Sequence, residues 1–216
     1  MKHDGLRREI IAACLEMNGR GINQGTSGNI SARVPEGLLI TPSGIPYAEM
    51  EPSDIVLMHI DGSHEGTRKP SSEWRFHRDI MANRAEVGAI VHAHSMFATT
   101  LACLRMDIPA VHYMIAAAGG PTIRCAPYVT YGTQALSDLA IEALEGRNAC
   151  LLANHGMIVC ETTMQRALGL AVEVEALSRQ YCIARQTGTP VLLTEAEMDE
   201  ALARYADYGK QPGGKR

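Results

Sequence analysis

The sequence predicts a single α/β domain. Short apolar runs rich in β-branched residues alternate with longer stretches of helical periodicity. The 216 residues suffice for one sizeable core, and no linker, internal repeat or low-complexity stretch divides them. A hydrophobic content of 46% with 20% charged residues is that of an ordinary globular chain. The net charge of −4, without any basic block, offers nothing to nucleic acid or an anionic membrane. Met1 to Glu9 is too charged to read as a secretion signal, and no apolar run approaches the roughly 20 residues that span a bilayer. The six cysteines are scattered without a Cys-x-x-Cys pair, so they read as reduced, mostly buried thiols of a cytoplasmic protein.

In order, Leu6, Ile10, Cys14 and Met17 recur at helical spacing and predict a helix over 4–19, stopped by Gly19 and Gly21. Gln24 to Ser31 is a loop of small residues leading into a strand. A second strand, Gly37 to Thr41, ends in the turn Pro42-Ser43-Gly44. Both loops carry the free N–H groups and short polar side chains of an anion-binding nest, though each taken alone reads more readily as a plain hairpin turn. A third strand over 54–60 closes at Asp61-Gly62. Pro70-Ser71-Ser72-Glu73 then opens a helix running to about Asn83, with Ser71 or Ser72 as its N-cap and Glu73 in the first turn.

The run Val87 to Val91 reads as a buried strand, with His92 and His94 at its exit. Strand side chains alternate, so the two imidazoles share one face and suit a borderline metal such as zinc. Alone, they are also two ordinary histidines at a strand end. A short helix over 96–104 follows, then the apolar, small-residue segment Ile108 to Gly120, which must pack inside the domain or against another subunit. A strand over 122–126 and a helix over 133–145 come next. The strands 149–153 and 157–160 flank Asn154-His155-Gly156, a sharp turn able to present a third ligand. Helices over 163–186 and 195–206 complete a domain of residues 1–208, leaving 209–216 as a flexible tail.

Taken together and in order, Gly25-Thr26-Ser27-Gly28-Asn29-Ile30-Ser31, Thr41-Pro42-Ser43-Gly44, Pro70-Ser71-Ser72-Glu73, His92-Ala93-His94 and Asn154-His155-Gly156 resemble the class II aldolase/adducin family. The likeness extends to Trp74-Arg75-Phe76-His77 and His112 to Gly120, and so covers nearly the whole chain. It implies a central, mainly antiparallel sheet flanked by helices. It implies one Zn2+ per subunit on His92, His94 and His155, with an open position for substrate. It places a phosphate pocket at Gly28, Asn29, Ser43, Gly44, Ser71 and Ser72, which needs no lysine or arginine. Glu73 becomes the acid–base residue at the metal. Tyr113, reaching in from a neighbour in a homotetramer with active sites at subunit interfaces, handles a second proton, and Tyr131 of that neighbour lines the aldehyde pocket.

The implied reaction is reversible aldol cleavage of a small-molecule sugar phosphate, a (deoxy)ketose 1-phosphate, into dihydroxyacetone phosphate and an aldehyde. The same fold hosts other chemistry. Its members include aldolases for 5-deoxyribulose or 5-methylthioribulose 1-phosphate, pentulose-phosphate epimerases, methylthioribulose-1-phosphate dehydratases, and the metal-free structural head of adducin. Retention of three histidines and Glu73 argues against that last one.

Overall fold

A computed structural model describes residues 1–205 of the chain, so the expected tail at 209–216 lies outside the described residues. Its centre is a seven-stranded sheet in the order β3-β2-β1-β4-β7-β6-β5. The strands are β1 (Asn29–Val34), β2 (Gly37–Ile40), β3 (Val56–Met58), β4 (Ala89–Ala93), β5 (Arg124–Ala126), β6 (Ala149–Leu152) and β7 (Gly156–Glu161). Every neighbouring pair is antiparallel except β5 with β6. The expected mainly antiparallel α/β architecture is therefore the one observed.

Alternation along the strands sends side chains to two separate cores. On β4, Ala89, Val91 and Ala93 face one cluster, while Ile90 belongs to the other. The first cluster takes Ile10 and Met17 of α1 (Asp4–Gly19), Ala98 and Leu101 of α3 (Met96–Cys103), and Ala171 and Leu177 of α5 (Met164–Thr187). The second takes Phe76 and Ile80 of α2 (Trp74–Asn83) with Leu136 and Ala140 of α4 (Gln134–Ala143). Burial on both faces explains why β4 and β7 read as unbroken apolar runs. The last helix, α6 (Glu195–Tyr205), seats Met198 in the first core. Among the described residues no helix is long and apolar enough to cross a membrane.

Three boundaries differ from the expected ones for local reasons. The third strand is only Val56–Met58, because Asp54 turns inward, accepting the Glu51 N–H and pairing with Arg68. The strand carrying the histidine pair runs Ala89–Ala93, so His92 lies inside it rather than at its exit, paired with Asn29 of β1 and Ile158 of β7. Helix α2 begins at Trp74 with Glu73 itself at the N-cap position, so neither Ser71 nor Ser72 caps it. Ser71 instead closes a tight turn, its hydroxyl accepting the Glu73 N–H and its carbonyl accepting the Trp74 N–H.

The apolar segment before β5 forms a 3-10 turn, Tyr113–Ala118, whose residues Ile115 to Ala118 are buried within this same chain. Four of the cysteines (Cys14, Cys150, Cys160 and Cys182) are buried, and all six are free thiols.

Candidate functional site

The centre of the sheet assembles the site. Strands β4 and β7 are neighbours, so the residues after β4 and the turn before β7 come out at the same place. His92 and His94 arrive from β4, His155 from the β6–β7 turn, and Glu73 from the head of α2. One ligand-capable atom from each of these four lies within 4.8 Å of the other three. His92 Nε2 stands 3.0 Å from His94 Nε2 and 3.1 Å from Glu73 Oε2, and His155 Nε2 stands 3.2 Å from Glu73 Oε1. The three rings meet edge to face with centroids 4.8–4.9 Å apart.

Hydrogen bonds set which atoms face the centre. His92 Nδ1 is 2.9 Å from the Met157 carbonyl, an acceptor only, so Nδ1 carries the proton and the bare Nε2 points into the cluster. Glu73 is 5% exposed, yet its Oε1 makes no hydrogen bond. Bare imidazole nitrogens and an orphaned carboxylate oxygen repel one another unless a cation lies among them. Three nitrogen donors and one oxygen donor, converging from rigid elements, fit a divalent metal.

The charges follow the same geometry. Burial opposes ionisation of Glu73, but positive charge on the His92 and His155 side of the carboxylate outweighs burial and holds its carboxyl well below the usual carboxylate range, the part a cation takes when the imidazole nitrogens are bare. Burial, reinforced by His92 and His155, lowers His94 to about 4, so its ring is neutral and available as a ligand.

Backbone chemistry explains why these loop residues are the ones present. Asn154 adopts φ 54°, a left-handed conformation that asparagine tolerates, and its side chain accepts from Arg105, itself at φ 53°. A Cβ on Gly156 would sit 2.6 Å from the Ala93 carbonyl and 2.8 Å from the His94 ring, so only glycine lets the turn pass this close. Gly28 is constrained likewise, 2.7 Å from the His92 carbonyl by the same construction.

The loops expected to hold phosphate are strapped together beside this cluster. Pro42 bridges Pro70, the Ser43 N–H donates to the Lys69 carbonyl, and the Ser71 N–H donates to that of Thr41. Ser43, Gly44 and Ser72 are exposed there, whereas Ser71 and Gly28 are buried. Asn29 differs from the expectation in one respect. Its amide is already committed, donating 3.0 Å to Glu73 Oε2 and accepting 2.5 Å from His77. Tyr113 and Tyr131 are not brought to the cluster of their own chain. They stand 58% and 65% exposed, and the four-residue group includes neither.

Several polar residues around the site were given no individual role by the sequence. Asn23 accepts the His94 N–H and the Ser27 hydroxyl. Glu175, on α5, accepts the Ser95 hydroxyl and the Phe97 and Ala98 N–H groups, fixing the segment just after His94. Ser31 and His77 are completely buried and joined at 2.7 Å behind Asn29. A histidine four residues past Glu73 on the apolar face of a helix was the available signal for that pair.

Comparison with known proteins matches the same frame. Residues 8–182 match the family described as Class II Aldolase and Adducin N-terminal domain. The chain is 51% identical over 204 residues to a 5-methylthioribulose-1-phosphate/5-deoxyribulose-1-phosphate aldolase of Rhodospirillum rubrum, covering 94% of this chain and 92% of that protein. It is 46% identical over 210 residues to the L-fuculose phosphate aldolase of Escherichia coli, covering 97% and 98%. Among solved structures, an L-fuculose 1-phosphate aldolase superposes with a TM-score of 0.92 at 41% identity, covering 95% of this chain and 98% of the other.

Proposed function

Because the chain belongs to the class II aldolase/adducin family, we infer that it is a metal-dependent aldehyde lyase that reversibly cleaves a ketose 1-phosphate into dihydroxyacetone phosphate and an aldehyde. The observation that carries this reading is the convergence of Glu73, His92, His94 and His155 within 4.8 Å. A structural protein has no use for four mutually repelling donors, two of them buried, so the adducin-like alternative falls away.

We assign His92, His94 and His155 as the residues that hold the metal, and zinc as the ion, since imidazole donors with an open position suit it. When bound, that ion supplies a Lewis acid for the substrate carbonyl. Glu73 moves the proton at C3: it returns one after cleavage and removes one in synthesis. Ser43, Gly44, Ser71 and Ser72, with the Gly28 and Asn29 segment, receive the phosphate through N–H groups and hydroxyls. The exposed Tyr113 and Tyr131 act in a neighbouring subunit's site, Tyr113 on the C4 oxygen proton and Tyr131 against the aldehyde. This requires an oligomer, proposed as a homotetramer, working in the cytoplasm.

Two substrates fit the relatives. L-Fuculose 1-phosphate, yielding L-lactaldehyde, is the main reading. The 51% identity to the Rhodospirillum rubrum protein favours 5-methylthioribulose or 5-deoxyribulose 1-phosphate as the second. The deciding test is a retro-aldol assay on these ketose 1-phosphates, detecting dihydroxyacetone phosphate, before and after chelation. Cleavage that disappears on chelation and returns with Zn2+ is expected. Full activity in the stripped protein would overturn the metal assignment.

A further inference from the structure

Behind Glu73 lies a hydrogen-bond chain that the reaction as described does not use. Ser31 comes from β1, His77 from α2 and Asn29 from the start of β1, with Ser31 and His77 at 0% and Asn29 at 4% exposure. The order of contacts is Ser31 Oγ to His77 Nδ1 at 2.7 Å, His77 Nε2 to Asn29 Oδ1 at 2.5 Å, and Asn29 Nδ2 to Glu73 Oε2 at 3.0 Å.

The direction of every bond follows from its anionic end. A carboxylate only accepts, so Asn29 must present its NH2 to Glu73. Its carbonyl oxygen then faces His77, and an oxygen there requires Nε2 to carry the proton. A neutral ring with Nε2–H has a bare Nδ1, which the Ser31 hydroxyl fills as donor. Burial, with His92 reinforcing it, keeps His77 neutral by lowering it to about 3. No other arrangement of the neutral ring satisfies all four side chains.

We propose that Ser31 and His77 are positioning residues: through Asn29 they hold Glu73 Oε2 as a fixed acceptor and leave Oε1 as the oxygen that exchanges the proton with substrate. Oε1 is the carboxylate oxygen that has no hydrogen bond. In the synthetic direction the C3–H bond breaks, its proton passes to Oε1, its electron pair becomes the C2–C3 π bond, and the carbonyl π pair moves to the C2 oxygen. Cleavage runs the same transfer backwards. One lone pair of Oε2 is taken by Asn29 and the oxygen is turned toward Asn29 and His92, which leaves Oε1 as the free acceptor for that proton. Asn29 with a flipped amide would instead turn an oxygen on the carboxylate and push it out of register.

The inference rests on the aldolase reading, and the test separates the two. Metal-loaded wild type, His77→Phe and His77→Gln are compared for hydrogen–deuterium exchange at C3 of dihydroxyacetone phosphate, with no aldehyde present. Phenylalanine keeps the ring's shape and packing against Phe76 but cannot donate. Glutamine loses the ring but keeps an N–H where Nε2 was. His77→Phe is expected to lower the exchange kcat by about 10–100-fold with KM little changed, and His77→Gln by less than about tenfold.

A purely packing role for His77 predicts the opposite order, and that order, or a wild-type rate in His77→Phe, would overturn the proposal. Lack of exchange by wild type would instead overturn the aldolase reading. A second readout needs no turnover: 15N–1H correlation of labelled histidine in metal-loaded protein. It should show His77 as the Nε2–H tautomer in wild type, with that preference lost in Ser31→Ala. An Nδ1–H tautomer in wild type would also refute the relay.

Discussion

Glu175 offers a quantitative test of how the scaffold holds His94. The first N–H groups of a helix have no partner inside it, and those of α3 immediately follow the histidine pair. Glu175 supplies the partner from α5: Oε2 accepts the Ser95 hydroxyl at 2.7 Å and the Ala98 N–H at 2.9 Å, and Oε1 accepts the Phe97 N–H at 2.9 Å. Ser95 and Ala98 are 1% and 0% exposed, so water replaces Glu175 poorly. A net hydrogen bond to a charged group is worth about 1.5–3 kcal/mol, and loss of an N-cap typically about 1 kcal/mol. The three bonds share one carboxylate and are not additive, which brings the expectation for Glu175→Ala to about 2–4 kcal/mol. At about 2–4 °C per kcal/mol for a domain of this size, Tm should fall by roughly 5–15 °C.

Calorimetry of the metal-loaded protein, at matched concentration, measures this. Glu175→Gln keeps an acceptor but not the charge and should lose roughly half as much. Because Ser95 adjoins His94, metal affinity in Glu175→Ala should also fall, by about tenfold or more. A Tm within about 2 °C of wild type, or equal losses in the Gln and Ala variants, would refute the reasoning.

Two further changes probe the site directly. Glu73→Gln should reduce C3 exchange of dihydroxyacetone phosphate by about 100-fold or more, the usual worth of a positioned base, while Tyr113→Phe retains most of it because the C4 oxygen is absent; the reverse result would exchange their roles. Gly156→Ala drives a Cβ into the Ala93 carbonyl and the His94 ring, so it should cost about 1–3 kcal/mol in denaturant unfolding and weaken metal binding, and an unchanged midpoint would show that the turn yields freely.

Much of the fold was legible because two periods are written plainly in the chain. Ile10, Cys14 and Met17 mark α1, and the apolar runs at 87–91 and 157–160 mark the two-sided central strands. The candidate metal cluster was legible through residue type: two imidazoles two positions apart at a strand end, and a third in an Asn-His-Gly turn. The head of α2 was misplaced because Ser71 and Ser72 are good caps by composition. What decided the boundary was a tertiary strap, with Ser71 N–H on the Thr41 carbonyl and Pro42 bridging Pro70.

Asn29 was placed in the phosphate pocket by the family resemblance, and neither that resemblance nor the loop's pattern reveals that both ends of its side-chain amide are engaged across 44 and 48 positions. Glu175 was illegible for the same reason, and His77 showed only its place on the apolar face of α2, not its partners. Each looks like an ordinary helical residue until its long-range partner is known.

The pairing of β4 bears on how the molecule comes together in time. The His92 ring bonds to a carbonyl 65 positions later, and Asn23 accepts from His94 across 71 positions. Contacts this remote close large loops and form slowly compared with the helices. The ligand set therefore exists only after the chain has joined its first third to its last, and an early, helix-rich collapsed chain has no cluster to offer an ion. A metal that binds only the finished centre cannot guide the search toward it. Such an ion would act afterwards, by slowing the escape of β7 from β4, so its mark on the kinetics is expected on the unfolding limb rather than the folding limb.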